Sequence, residues 1–193
     1  MDTPLVIVAP PDLANGSLAN RIIVDRLAEM AGVEVRDLQA LYPDFKVDVE
    51  AEQEALLRAD TVVFQFPFFW YGVPGILKQW MDAVLTYGFA YGSTGTKLNG
   101  KRLIVSVTVG GPAASYQHGG ENTFTMAELL RPLEQTANLT GMRWRPPIIT
   151  HDMVYIPNVY NVKEEVEQRA REHAACLMDS IAAVDVPASA TAT

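Results

Sequence analysis

Five short apolar stretches alternate with segments of helical periodicity, and that alternation restricts the fold more than any other feature of the chain. Leu5 to Ala9, Val33 to Leu38, Thr61 to Phe66, Leu103 to Val109 and Met142 to Ile149 read as strands. The spacing predicts helices over Ser17 to Ala31, Glu50 to Arg58, Pro74 to Tyr87, Asn122 to Asn138 and Lys163 to Val184. Strands separated by helices imply a parallel sheet covered on both faces, and right-handed crossovers leave few arrangements.

Two doubly wound orders compete. The dinucleotide-binding order calls for Gly-x-Gly-x-x-Gly after the first strand, but the chain has Pro10-Pro11-Asp12-Leu13-Ala14-Asn15-Gly16 there. The expectation is therefore an α/β, flavodoxin-like fold: a five-stranded parallel sheet in the order 2-1-3-4-5 with helices on both faces. Gln39 to Val49 reads as a long connection. Gly141 marks the end of the fourth predicted α-helix, and Pro146-Pro147 should interrupt the fifth strand or hold it at an edge. Residues 1–184 are expected to form one domain, with Asp185 to Thr193 a disordered tail of Ala, Ser, Thr and Pro.

Charge and cysteine usage narrow the function. A net charge of -8 without a clustered basic stripe argues against nucleic acid as a partner. A single cysteine, Cys176, makes no internal disulfide, and the amino terminus has no basic and apolar leader, which points to the cytoplasm. No apolar run approaches the roughly 20 residues of a membrane span. Three histidines without ligand spacing argue against a metal site.

Three loops follow strands one, three and four, at the sheet edge where such folds bind ligands. In the first, the turn before Ser17-Leu18-Ala19-Asn20 opens a helix whose free N–H groups, dipole and Ser17 hydroxyl suit a phosphate; Ser17 or Asn15 serving only as an N-cap is the alternative. In the second, Pro67 and the run Phe68-Phe69-Trp70-Tyr71 form an aromatic platform for a flat conjugated ligand, or else a satellite cluster or subunit interface. In the third, Thr108-Val109-Gly110-Gly111 lets backbone approach a ligand closely, although a Gly pair alone makes an ordinary turn.

Taken together, these loops resemble one family. Ser17-x-x-Asn20-Arg21, Gln65-Phe66-Pro67-x-x-Trp70-Tyr71-x-x-Pro74-x-x-Leu77-Lys78-x-Trp80-x-Asp82, Gly88-x-Ala90-Tyr91-Gly92 and Thr108-x-Gly110-Gly111 are similar to segments of the flavin-dependent NAD(P)H:quinone oxidoreductases. The likeness is strongest to short bacterial members, including ancillary flavoproteins of glutathione-gated potassium efflux systems. It implies a homodimer with FMN, or FAD as the alternative, and NAD(P)H as co-substrate. The flavin ring would lie against the Pro67 to Tyr71 and Thr108 to Gly111 loops with Trp70 packed on it, backbone groups of Phe68 to Tyr71 at its polar edge, and its phosphate on the Ser17 to Asn20 turn. A quinone or other planar acceptor would follow in the same pocket, with a membrane transporter as a further candidate partner.

The resemblance also implies catalytic roles for a tyrosine and a histidine beyond the glycines. Tyr116 matches in spacing. His118 does so less well, and a solvated loop histidine is its alternative. A phenol or imidazolium there would give a hydrogen bond or proton to the oxyanion formed when hydride reaches a quinone. His151 is expected in packing or lining the pocket, and His173 among charged residues in solvent. Two departures stand out: Pro10 replaces the histidine that many members carry after the first strand, and Val109 replaces the second threonine of Thr-Thr-Gly-Gly.

Overall fold

The computed structural model describes residues 3–183. In chain order the elements are β1 (Pro4–Val8), α1 (Leu18–Ala28), β2 (Glu34–Asp37), α2 (Leu38–Leu41), α3 (Val49–Arg58), β3 (Thr61–Pro67), α4 (Gly75–Val84) and β4 (Arg102–Thr108). A 3-10 turn (Ala113–Ser115), α5 (Met126–Leu129), α6 (Arg131–Thr140), β5 (Arg143–Trp144), β6 (Ile148–Thr150) and α7 (Lys163–Ala182) complete it. The sheet runs β2-β1-β3-β4-β5, all parallel, with β6 also paired to β4. The expected flavodoxin-like order is present. Val184 and the tail expected from Asp185 to Thr193 lie outside the described residues.

Alternate residues of the buried strands face two separate cores, as a period of two requires. Leu5, Ile7, Phe64, Phe66, Leu103, Val105 and Val107 pack against Leu56 of α3, Leu77 and Trp80 of α4, and Leu133 of α6. Val6, Val8, Val63 and Ile104 face the other way, onto Ile23 and Leu27 of α1 and Val166, Ala170 and Leu177 of α7. The register aligns Val8 with Gln65, Pro67 with Thr108, and Thr108 with Thr150. Four strand ends thus meet at one edge.

The structure departs from the sequence-based boundaries at two places. The connection after β2 begins with α2, because the Asp37 carboxylate accepts from the N–H groups of Gln39 and Ala40 and starts a helical turn. The single helix expected over Asn122 to Asn138 is two. Thr125 and Glu128 form a capping box that opens α5, and Pro132, which has no N–H to give, starts α6 instead of continuing its predecessor. As expected, Pro146-Pro147 interrupts the final strand, dividing it into β5 and β6 at the sheet edge. Gly141 ends α6 at φ 70°, the left-handed conformation glycine adopts without penalty.

Candidate active site

A cavity of about 610 Å³ opens at the carboxyl edge of the sheet. Ser17, Leu18 and Asn20 form one side, Pro67, Phe68 and Phe69 another, and Thr108 and Gly110 the floor. Each group arrives from a different strand end, so the sheet register rather than local sequence brings them together.

The loop entering α1 is braced by its own polar groups. Asn15 N–H donates to Asp12 Oδ1 at 2.9 Å, and the Arg21 guanidinium donates to Ala14 O at 2.9 Å. Ser17 occupies the N-cap, yet its side chain makes no cap bond; its Oγ accepts instead from Asn20 Nδ2 at 2.8 Å. No acidic residue lies in the first turn of α1. The positive end of the helix dipole therefore faces the cavity with no carboxylate in its own first turn, which suits an anion.

The aromatic run does not form one continuous platform. Phe68 is buried, and its ring stands edge-on to Tyr71 and Tyr116 at 6.5 and 6.2 Å. Phe69 reaches the cavity, whereas Trp70 is 94% exposed and Tyr71 lines a neighbouring groove with Val73, Met81 and Leu133. The cause is a tight turn. Phe69 and Gly72 exchange backbone hydrogen bonds of 3.2 and 3.0 Å, and Trp70 and Tyr71 between them take φ of 47° and 61°. That is the turn geometry normally filled by Asn and Gly. Of the backbone donors expected to meet a ligand, Phe68 N–H is already given to Thr108 O and Phe69 N–H to Gly72 O. Among the described residues, the Trp70 and Tyr71 N–H groups have no hydrogen-bond partner.

At the third loop, Gly110 allows a close approach: a Cβ there would lie 3.0 Å from Val154 Cγ2. Val109 is buried outside the cavity wall, and its N–H donates to Thr150 O at 2.8 Å. Gly111 sits beneath Tyr116 and accepts a hydrogen bond from His151 Nδ1 at 3.0 Å. Tyr116 and His151 stack obliquely with centroids 5.3 Å apart. Burial, and secondarily the neighbouring Tyr71 phenol, raises the Tyr116 pKa, so this phenol remains a donor at neutral pH. Tyr116 and Gly111 do not line this cavity themselves, but the Tyr116 ring packs on Phe68, which does. His118 stands apart: it is solvent-exposed, with Nε2 3.2 Å from Glu128 Oε1 at the start of α5.

Sequence reasoning missed one wall entirely. Met153, Val154, Tyr155 and Pro157 close the cavity from the segment after β6; the turn-forming residues Pro157, Asn158 and Asn161 are the local signal this segment carries. His173, expected in solvent, is 2% exposed because it lies three residues after Ala170 and four before Leu177, on the apolar face of α7. Burial lowers its pKa to about 4. No group of three or more metal-ligating side chains occurs among the described residues, and none of their helices is long and apolar enough to cross a membrane.

Residues 3–175 match the family described as having the flavodoxin-like fold. The chain belongs to that family. It is 43% identical over 166 residues to the uncharacterized NAD(P)H oxidoreductase YrkL of Bacillus subtilis, covering 86% of this chain and 92% of that protein. Identity is 46% over 153 residues to the glutathione-regulated potassium-efflux system ancillary protein KefF of Salmonella newport, across 76% and 82% of the two chains. Among solved structures, general stress protein 14 of Treponema denticola in complex with FMN superposes with a TM-score of 0.82 at 37% identity, covering 93% of this chain and 99% of that one. An NADPH-quinone reductase from P. pentosaceus gives 0.76 at 30% identity, over 95% and 99%.

Proposed function

We propose that this chain is a flavin-dependent NAD(P)H:quinone oxidoreductase that holds FMN in the cavity at the sheet edge and acts as a homodimer. The observation that carries the reading is the pairing of an α1 N-terminus free of first-turn carboxylates with an aromatic wall across one cavity. The FMN complex and the NADPH-quinone reductase of similar structure support it. The residues present suit FMN: Ser17 and the first turn of α1 would receive the phosphate, Thr108 and Gly110 the ribityl side, and Phe69 with the Trp70 and Tyr71 amides the ring.

When bound, FMN would supply hydride acceptance from NAD(P)H and two-electron delivery to a quinone, in a ping-pong sequence that uses one pocket twice. The protein's part is positioning and proton donation. Tyr116, held protonated between Phe68 and His151, gives a hydrogen bond to the quinone oxygen as negative charge builds there. The Trp70 and Tyr71 amides would donate to the ring's polar edge. The exposed Trp70 and the adjoining apolar groove of Val73, Met81 and Leu133 are where a second copy would bury surface.

Visible absorbance tests the reading: purified protein is loaded with FMN or FAD, desalted, and reduced anaerobically with NADPH. Retained FMN that bleaches and recovers on adding a quinone is expected; a protein that retains neither flavin overturns it. A second reading, an ancillary subunit of a potassium-efflux transporter, draws on the 46% identity to KefF. Co-purification with a neighbouring antiporter would favour it.

A further inference from the structure

A chain of hydrogen bonds runs beneath the cavity floor, between the sheet and the layer of α1 and α7. Asn20, Gln65, Ser106, Thr108 and His173 are each no more than 3% exposed. Gln65 and Ser106 are register partners on β3 and β4. Their side chains face Asn20 of α1 on one side and His173 of α7 on the other.

Counting protons gives this chain a direction. A hydroxyl has one proton to give, and a neutral imidazole has one N–H and one acceptor nitrogen. Ser106 Oγ donates to Gln65 Oε1 at 2.6 Å, so its 2.7 Å contact with His173 Nε2 requires the imidazole as donor. Nδ1 is then the acceptor, served by the Thr150 hydroxyl at 2.8 Å. Gln65 Nε2 donates to Asn20 Oδ1 at 2.8 Å. Asn20 Nδ2 uses its two hydrogens on Ser17 Oγ at 2.8 Å and Thr108 Oγ1 at 3.0 Å. Both hydroxyl oxygens accept from below and keep their own protons for the cavity.

The opposite tautomer would reverse every link. Ser106 would donate to Nε2, both amides would turn over, and Ser17 and Thr108 would donate to Asn20 Oδ1. Only lone pairs would then face the cavity, and these repel the phosphate oxygens, which can only accept. Burial favours the neutral form of His173, which leaves the tautomer as the quantity that sets direction.

We propose that His173, as its Nε2–H tautomer, is a positioning residue for cofactor binding: it orients the buried chain so that Ser17 and Thr108 present donors to the oxygens of FMN. This rests on the FMN reading above. His173 touches no ligand itself and acts through four intervening side chains.

Titrating the cofactor-free protein with FMN and following flavin fluorescence quenching tests the idea. His173→Phe, which neither donates nor accepts, should weaken FMN binding about tenfold, and His173→Gln, which restores a donor toward Ser106, should recover most of the loss. In a Ser17→Ala/Thr108→Val background the same His173→Phe change should alter Kd less than about twofold, because no hydroxyls remain to orient. A purely structural role would instead give the same loss in both backgrounds, and that overturns the proposal. So does wild-type affinity in His173→Phe. Should His173→Phe fail to fold, Thr150→Val decides: about threefold weaker binding supports the relay, and unchanged binding overturns it. If the wild-type protein itself takes up no FMN, the cofactor reading falls and carries this inference with it; uptake by wild type with indifferent variants removes the inference alone.

Discussion

At the scale of single residues, Trp70 presents an apparent contradiction, being the most exposed large hydrophobic side chain described and one held at φ 47°. Left-handed backbone in a non-glycine residue costs on the order of 1–3 kcal/mol and persists only where the surroundings enforce it. Here the paired Phe69 and Gly72 hydrogen bonds enforce it. Trp70→Asn, placing a residue that tolerates this region, should raise the melting temperature of the cofactor-free protein by roughly 2–4 °C at concentrations dilute enough to keep the chain monomeric, where little packing is lost. A melting temperature at or below wild type would mean the turn stores no strain. Tyr116 makes a different claim. Tyr116→Phe keeps the ring against Phe68 and His151 and removes only the phenolic proton, so quinone turnover should fall roughly 100-fold while FMN affinity stays within about twofold. Steady-state kinetics with a benzoquinone acceptor reads both arms, and unchanged turnover removes Tyr116 from the chemistry.

Among the elements, α3 shows what periodicity does and does not reveal. The sequence marks it as a charged helix, but Glu52 on it is fully buried. Its Oε1 accepts from the Tyr42 hydroxyl at 2.5 Å and from Arg36 at 2.6 and 2.8 Å, and Oε2 accepts from Trp80 Nε1 at 2.8 Å. The Glu52 carboxylate correspondingly raises the Arg36 pKa. One side chain therefore joins β2, the segment after α2, α3 and α4. Glu52→Ala would leave the Tyr42 hydroxyl and Trp80 Nε1 without their acceptor and leave Arg36 only its carboxylate contact with Glu34, and urea unfolding should record a loss of about 3 kcal/mol or more; a loss below about 1 kcal/mol would show that water satisfies them. The strands and their order were legible because apolar runs and helix spacing are local signals. Glu52, Gln65, Ser106 and His173 were not, because a polar residue inside an apolar pattern is explained only by a partner distant in sequence. Gln65 and Ser106 did carry a faint signal, as polar residues within strands otherwise apolar. The break at Pro132 was open to the same local reasoning, as was the division at Pro146-Pro147 that the sequence did announce. The wall from Met153 to Pro157 had no periodic signal at all, since irregular backbone is positioned by what it packs on.

For the whole molecule, the same buried histidine that orders the cavity floor also joins the sheet to α7, so its titration should appear in global stability. His173 has a pKa of about 4 in the folded protein against 6.5 for the free side chain. Above pH 6.5 both folded and unfolded chains hold it neutral, and its hydrogen bonds to Ser106 and Thr150 contribute fully. As pH falls from 6.5 toward 4 the unfolded chain binds a proton that the folded chain refuses, so stability must decline through that window. The whole shift corresponds to about 3 kcal/mol, of which about 2 kcal/mol should be lost between pH 7 and pH 5. Carboxylates also begin to titrate near the lower end, and His173→Gln separates the two contributions. The variant should be less stable than wild type at pH 7, yet its unfolding free energy should change less between pH 7 and pH 5. Denaturant melts of cofactor-free protein at the two pH values measure the difference directly. Equal slopes for wild type and variant would mean that His173 takes up its proton in the folded state as readily as in the unfolded one, through an opening of α7 from the sheet that the native packing does not contain.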